Sequence, residues 1–100
     1  MSATFTFDAE VWLWEGDAAW HFASLPTDVT DAIDDAFAHQ AKGFGSQRVA
    51  VTIGATTWQT SVFPSKQEAT FILPVKKAVR TAEGLEAGST ATITVTVLET

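Results

Sequence analysis

Residues Phe63 to Val97 read F-P-S-K-Q-E-A-T-F-I-L-P-V-K-K-A-V-R-T-A-E-G-L-E-A-G-S-T-A-T-I-T-V-T-V. A strand over Ala69 to Leu73 carries the apolar run Phe71-Ile72-Leu73 into Pro74. Proline suits the first turn of a helix, so a short helix is expected over Pro74 to Glu83. In it Val75, Val79 and Ala82 share one face, and Lys76, Lys77 and Arg80 fall mostly on the other. Gly84 supplies a left-handed stop, with Leu85 placed to pack back on the last turn. Gly88-Ser89 then turns the chain into a strand over Thr90 to Leu98. There Ala91, Ile93, Val95 and Val97 alternate with four threonines. That period of two puts one face on a core and a threonine face toward solvent.

Upstream, Gln47 to Ile53 and Thr56 to Phe63 read as strands of a hairpin turning at Gly54-Ala55. Val49, Val51 and Ile53 share a face in the first, and Trp58, Thr60 and Val62 in the second. Nearer the N-terminus, Phe5, Phe7, Ala9, Val11 and Leu13 alternate with polar residues over a long strand. Trp12 and Trp14 fall on its polar face, which calls for a bulge or for local cover. Glu15-Gly16-Asp17 is a turn, and Ala19 to Ala23 is a second strand. Leu25-Pro26-Thr27-Asp28 starts a helix with Val29, Ile33, Ala36 and Phe37 as its apolar stripe, ending near Ala41. The total is about six strands and two short helices. An open sheet of six would expose two edges, so a mainly β fold closed into a small barrel, or a double-split barrel, is expected.

One hundred residues fit one domain spanning 1–100, and a chain of this size buries roughly 65% of its unfolded surface. The absence of cysteine excludes disulfides, thiolate metal sites and a cysteine nucleophile. No leader pattern and no apolar run long enough for a membrane helix is present, so a cytoplasmic protein is expected. The net charge is −6 and is unevenly spread. Residues 1–41 carry Asp8, Glu10, Glu15, Asp17, Asp28, Asp31, Asp34 and Asp35 with no lysine or arginine. All six basic residues lie between Lys42 and Arg80. An acidic chain repels a phosphate backbone unless a local patch overrides the net field, which argues against nucleic acid as a partner.

Four segments, G-F-G-S at 43–46, T-W-Q-T-S-V-F-P at 57–64, L-P-V-K-K-A-V-R at 73–80 and E-G-L-E-A-G-S at 83–89, resemble a small bacterial family of unknown function. The resemblance implies a double-split β-barrel of the AbrB/MazE kind, in proteins that stand alone or are fused to a YdeI/OmpD-associated bacteriocin-protection domain. The chain departs from the family pattern at Phe44, where tryptophan is usual, and at Ser89, where aspartate is common. The run at 73–89 is also similar to the half-barrel of AbrB-like regulators, which are swapped dimers that bind DNA. A shared scaffold does not carry that function over.

Gly43, Phe44, Gly45 and Ser46, with Lys66, Lys76 and Arg80, form the candidate ligand-binding set. Glycines let backbone N–H groups approach an anion, and the cations supply charge. The same residues also suit a solvated helix face beside a tight turn, and the strand–loop–helix context of a phosphate loop is missing. Ser61, Ser65, His21 and His39 form no nucleophile elbow, and the two histidines lack metal-ligand spacing. No catalytic residue, metal ligand or cofactor is therefore assigned. Trp20 and Trp58 are expected in the core, while Trp12 and Trp14 stay open between core and an exposed groove. These features favour a non-enzymatic binding or accessory module, monomeric or homodimeric, for a small anionic ligand or a protein partner. An AbrB-like nucleic-acid binder and an enzyme acting on an anionic substrate through Lys66 or Arg80 are the alternatives. A single site requires Lys66, Arg80 and one tryptophan in one concave patch.

Overall fold

A computed structural model of the chain describes residues 3–14, 16, 20–37 and 45–98. Six strands and two helices follow in the order β1 (Thr4–Leu13), β2 (His21–Ser24), α1 (Thr27–Phe37), β3 (Gln47–Ile53), β4 (Thr56–Ser65), β5 (Thr70–Pro74), α2 (Lys77–Glu83) and β6 (Thr90–Val97). The strands close into a barrel in the order β1-β2-β5-β4-β3-β6, with every pairing antiparallel.

Closure rests on the two ten-residue strands. β1 pairs with β6 from Thr4 to Glu10 and with β2 from Val11 to Leu13. β4 pairs with β3 from Thr56 to Val62 and with β5 from Phe63 to Ser65. Each long strand thus passes from one sheet to the other part-way along. At the first crossing Val11 N–H donates to Ser89 O (2.8 Å), and Gly88 N–H donates back to Val11 O (2.8 Å). Gly88 holds φ at 95°, a conformation that glycine adopts without steric cost.

The chain traces the same path twice: long strand, short strand, helix, strand. Leu25 N–H donates to Phe71 O and Val75 N–H donates to His21 O, both at 2.9 Å. An approximate two-fold axis between β2 and β5 exchanges these bonds, relating His21 to Phe71, Leu25 to Val75 and Val29 to Val79. The core draws on both halves. Leu25, Ile33, Leu73, Ile93 and the valines at 11, 49, 51, 62, 75, 79, 95 and 97 are its largest fully buried side chains. Burying each such side chain is worth about 1.5–3 kcal/mol. Val29 and Ile33 of α1 and Val79 of α2 join this cluster, as the stripe of α1 requires. The side chains of Ala36 and Phe37, the rest of that stripe, lie outside the described set, as do residues 38–44, where α1 was expected to end.

Outside, the sheet formed by β1, β6, β3 and β4 carries the threonine face. Thr4 and Thr96, Thr6 and Thr94, and Thr52 and Thr57 share hydroxyl hydrogen bonds of 2.9–3.0 Å across strand pairs. Thr92 Oγ1 donates to Asp8 Oδ1 at 2.7 Å. These cross-strand pairs each contribute roughly 0.2–1 kcal/mol.

Three expectations need correction. Pro74 ends β5, opposite Phe22, and α2 begins only at Lys77, because Val75 N–H is committed to His21 O. Val75 therefore does not set the phase of the helix, and Ala82 is exposed while Val79 is the buried residue of α2. β4 continues through Pro64 to Ser65. A proline is tolerated there because β4 has already left β3 and pairs only with β5. Leu13 shares the inward phase of β1 but is 47% exposed, since the strand outruns the core at that end.

The end of α2 follows the sequence reading. Gly84 sits at φ 65° and its N–H bonds to Arg80 O, and Leu85 packs against the core. Glu83 is held on the neighbouring hairpin, where Thr56 Oγ1 donates to its carboxylate at 2.6 Å. A Cβ at Gly54 would run into that carboxylate.

The burial map sets a contrast between faces. Ile93→Ala is expected to lower the unfolding free energy by about 2–5 kcal/mol. Thr94→Ala, on the opposite face of the same strand, is expected to cost no more than about 1 kcal/mol. Urea titration of the two variants measures both.

Candidate functional site

Two clefts lie at corresponding places in the two halves, each between a helix and the start of a short strand. The first, of about 400 Å³, is lined by Thr30 and Asp34 of α1, by Gly45, by Ser65 and Lys66, and by the start of β5 at Thr70. The second, of about 240 Å³, is lined by Trp20 and His21 before and at the start of β2, by Pro74, and by Lys76, Lys77 and Arg80.

The candidate residues divide between them. Gly45 and Lys66 border the first cleft, and Lys76 and Arg80 border the second. Ser46 is half-buried in the bridge before β3 and lines neither. Gly43 and Phe44 lie outside the described residues. The second cleft does combine Arg80 with a tryptophan, but Lys66 belongs to the other one. Arg80 is half-buried, and its Nε donates to Val75 O at 3.1 Å. Its guanidinium is thereby fixed over the segment joining β5 to α2, while Lys76 and Lys77 are exposed beside it.

Trp20 corrects the expectation that it is core: it is 52% exposed. Its ring stacks on Phe22 with centroids 6.2 Å apart and planes 13° from parallel. Phe22 meets Trp12 in turn, at 5.2 Å and 35°. Trp12 is half-buried, and its Nε1 donates to Ser24 Oγ (2.9 Å), which donates to Glu68 Oε1 (3.0 Å). Trp14 is 44% exposed and shares a hollow of about 270 Å³ with Trp20 and Phe22. Trp58 packs against the core as expected. The inward residue of β2 is instead Ala23, fully buried.

Residues 7–95 match DUF1905, a domain of unknown function. The chain belongs to this family. No curated protein matches the chain. In this DUF1905 domain Ser89 serves as a turn acceptor: Glu86 N–H donates to its Oγ at 3.0 Å, and its own N–H donates to Glu86 O at 2.9 Å. A side-chain oxygen is what that turn requires, and serine supplies one as aspartate would.

Among the described residues, no group of three or more His, Asp or Glu side chains is arranged to hold a metal ion, and no helix is long and apolar enough to cross a membrane. The sequence reading missed Trp20 and His21 as lining residues, whereas Lys77 lies beside Lys76 and Arg80 as the cationic face of the second helix implied. The available signal was the phase of β2. Leu25 is an obvious core residue, and stepping back by two from it places Ala23 and His21 inward and the aromatics outward.

The first cleft contains strain. Ala69, on its lining, sits at φ 59°, a left-handed conformation that costs a non-glycine residue roughly 1–2 kcal/mol. Thr70 Oγ1 next to it is buried with no hydrogen-bond partner. Ala69→Gly is expected to raise stability by up to about 1 kcal/mol, less than the strain relieved because glycine gains freedom in the unfolded chain. Chemical denaturation checks it. A second measurement addresses the tryptophans: replacing Trp14 and Trp20 together by phenylalanine should abolish most of the acrylamide-quenchable emission, whereas Trp58→Phe should lower only the shielded component, which half-buried Trp12 shares.

Proposed function

We propose that this domain is a non-enzymatic binding module whose ligand is a small anion bearing a flat apolar ring, bound in the cleft between Trp20 and α2. The observation that carries this reading is one juxtaposition: a half-exposed indole and the cations Lys76, Lys77 and Arg80 line the same cleft of about 240 Å³. An exposed indole offers a stacking face at small cost in side-chain order, because it is already braced on Phe22. The lysines supply mobile charge, and the arginine a fixed donor plane. Solvent-exposed ion pairs are worth about 0.2–1 kcal/mol each, so two lysines together supply close to a tenfold preference for the anion. The net charge of −6 selects against long phosphate polymers but leaves a small anion able to use the local patch.

The test is a set of tryptophan-quenching and thermal-shift titrations with an aryl phosphate, the matching aryl alcohol and inorganic phosphate. The aryl phosphate is expected to bind in the micromolar to millimolar range, with each half-ligand roughly tenfold weaker or more. Replacing Lys76 and Lys77 together by alanine should remove about tenfold of the affinity for the aryl phosphate and leave that for the alcohol unchanged. Equal affinity for phosphate and alcohol forms, or indifference to the lysine replacement, contradicts the reading.

A further inference from the structure

The two outer faces of the barrel differ in kind. The β1-β6-β3-β4 sheet presents hydroxyls and charges, as the threonine pairs show. The β2–β5 ribbon, with the adjoining ends of β1 and β4, presents Trp14, Trp20, Phe22, Ile72, Pro74 and Phe63. Trp14, Trp20 and Phe63 are exposed and the other three are half-buried. Strand register places Phe22 beside Pro74, and Phe63 beside Ile72. Soluble domains seldom leave a contiguous apolar sheet face of this kind uncovered, and those that do use it for binding. A small ligand in the Trp20 cleft reaches only one end of it.

The charge at the two ends of the ribbon says what covers it. α2 lies beside the start of β2, at Trp20 and His21, and α1 lies beside the start of β5, at Thr70 and Phe71. Because β2 and β5 are antiparallel, the helices stand at opposite ends of the ribbon. α1 carries exposed Asp28, Asp31, Asp34 and Asp35 and no basic residue; α2 and its cap carry Lys76, Lys77 and Arg80. At the α1 end the β4–β5 turn adds Lys66 and Glu68, which offset one another and leave the four aspartates in excess. A surface that is acidic at one end, basic at the other and mainly apolar between is complementary to itself. Rotating a copy about an axis in the plane of the face, across the ribbon, sets each acidic helix against a basic one.

We propose that the ribbon face pairs with the same face of a second copy of this chain, α1 of one protomer against α2 of the other. Such an isologous contact repeats both charged seams by symmetry. Its hydrophobic centre and charged rim match the anatomy of protein interfaces. The inference does not depend on the ligand reading.

Sedimentation equilibrium of the whole chain, in low-salt buffer without aryl or phosphate anions, tests it. The native chain is expected to pass from monomer to dimer between roughly 1 µM and 1 mM. Asp28→Lys with Asp31→Lys, and separately Lys76→Glu with Lys77→Glu, should each weaken self-association by about tenfold or more through like-charge contact. Mixing the two charge-reversed proteins should restore a 1:1 heterodimer, since each then offers the helix the other needs. All four positions are exposed, and circular dichroism verifies that the variants keep the fold. A native chain that stays monomeric to about 1 mM overturns the proposal. So does a dimer indifferent to either reversal, or a mixture that fails to pair. Absence of aryl-phosphate binding at protein concentrations where the chain is monomeric, with self-association intact at higher ones, would sink the ligand reading alone.

Discussion

Everything in this barrel depends on two strands that change partners. β1 leaves β6 for β2 near Val11, and β4 leaves β3 for β5 after Val62. Splitting each long strand between two partners lets the ring of six pairings close, with the change of partner at two places. Val11 and Val62 mark those places, and both are fully buried. A β-branched side chain suits that role, being stiff at χ1 and compact. The helices follow from the same constraint. Val29, Ile33 and Val79 are sealed into the core by the segments that join the short strands to the next long pairing.

The two-fold relation of the halves concerns the backbone; the residues have diverged around it. Equivalent helices carry opposite charge, and equivalent clefts hold Thr30 where the other holds Arg80, and Thr70 where the other holds Trp20. A symmetric frame with asymmetric decoration converts a difference in composition between the first and second halves of the chain into a dipole across one face. In sequence that difference is a list of eight acidic residues followed by six basic ones. The fold gives it a direction.

The strands, both helices and closure were legible because period-two and helical stripes survive in the sequence. β3 runs over Gln47–Ile53 as the alternation indicated, and Gly84 terminates α2. The sheet face that turns inward in β2 was not legible from residue size. Large aromatics usually win the interior, but here α1 and β5 contribute Val29, Ile33, Phe71 and Leu73 to the core, and β2 contributes Ala23. Trp20 and Phe22 therefore face out, and the candidate site appears where the core was expected. The position of Lys66 was out of reach for a different reason. Its cleft depends on how the β4–β5 turn meets α1, a contact between segments far apart in sequence with no local signature.

On the proposed readings, the ligand and the second copy draw on the same groups. Trp20, Lys76 and Lys77 line the cleft and also form the basic end of the docking face. An anion held there neutralises charge that α1 of a second protomer would otherwise meet, and its ring occupies the indole surface. Binding at the cleft and self-association then oppose one another. The coupling is reciprocal by thermodynamic necessity, so dimer formation weakens the ligand by the same factor that ligand weakens the dimer. The sign of that coupling follows from geometry alone. Its size is bounded by the shared contacts: two exposed cations and one indole, on the order of 1–3 kcal/mol. A module built this way reports the concentration of an anion as a change in its own state of assembly, with no moving part beyond two lysine side chains.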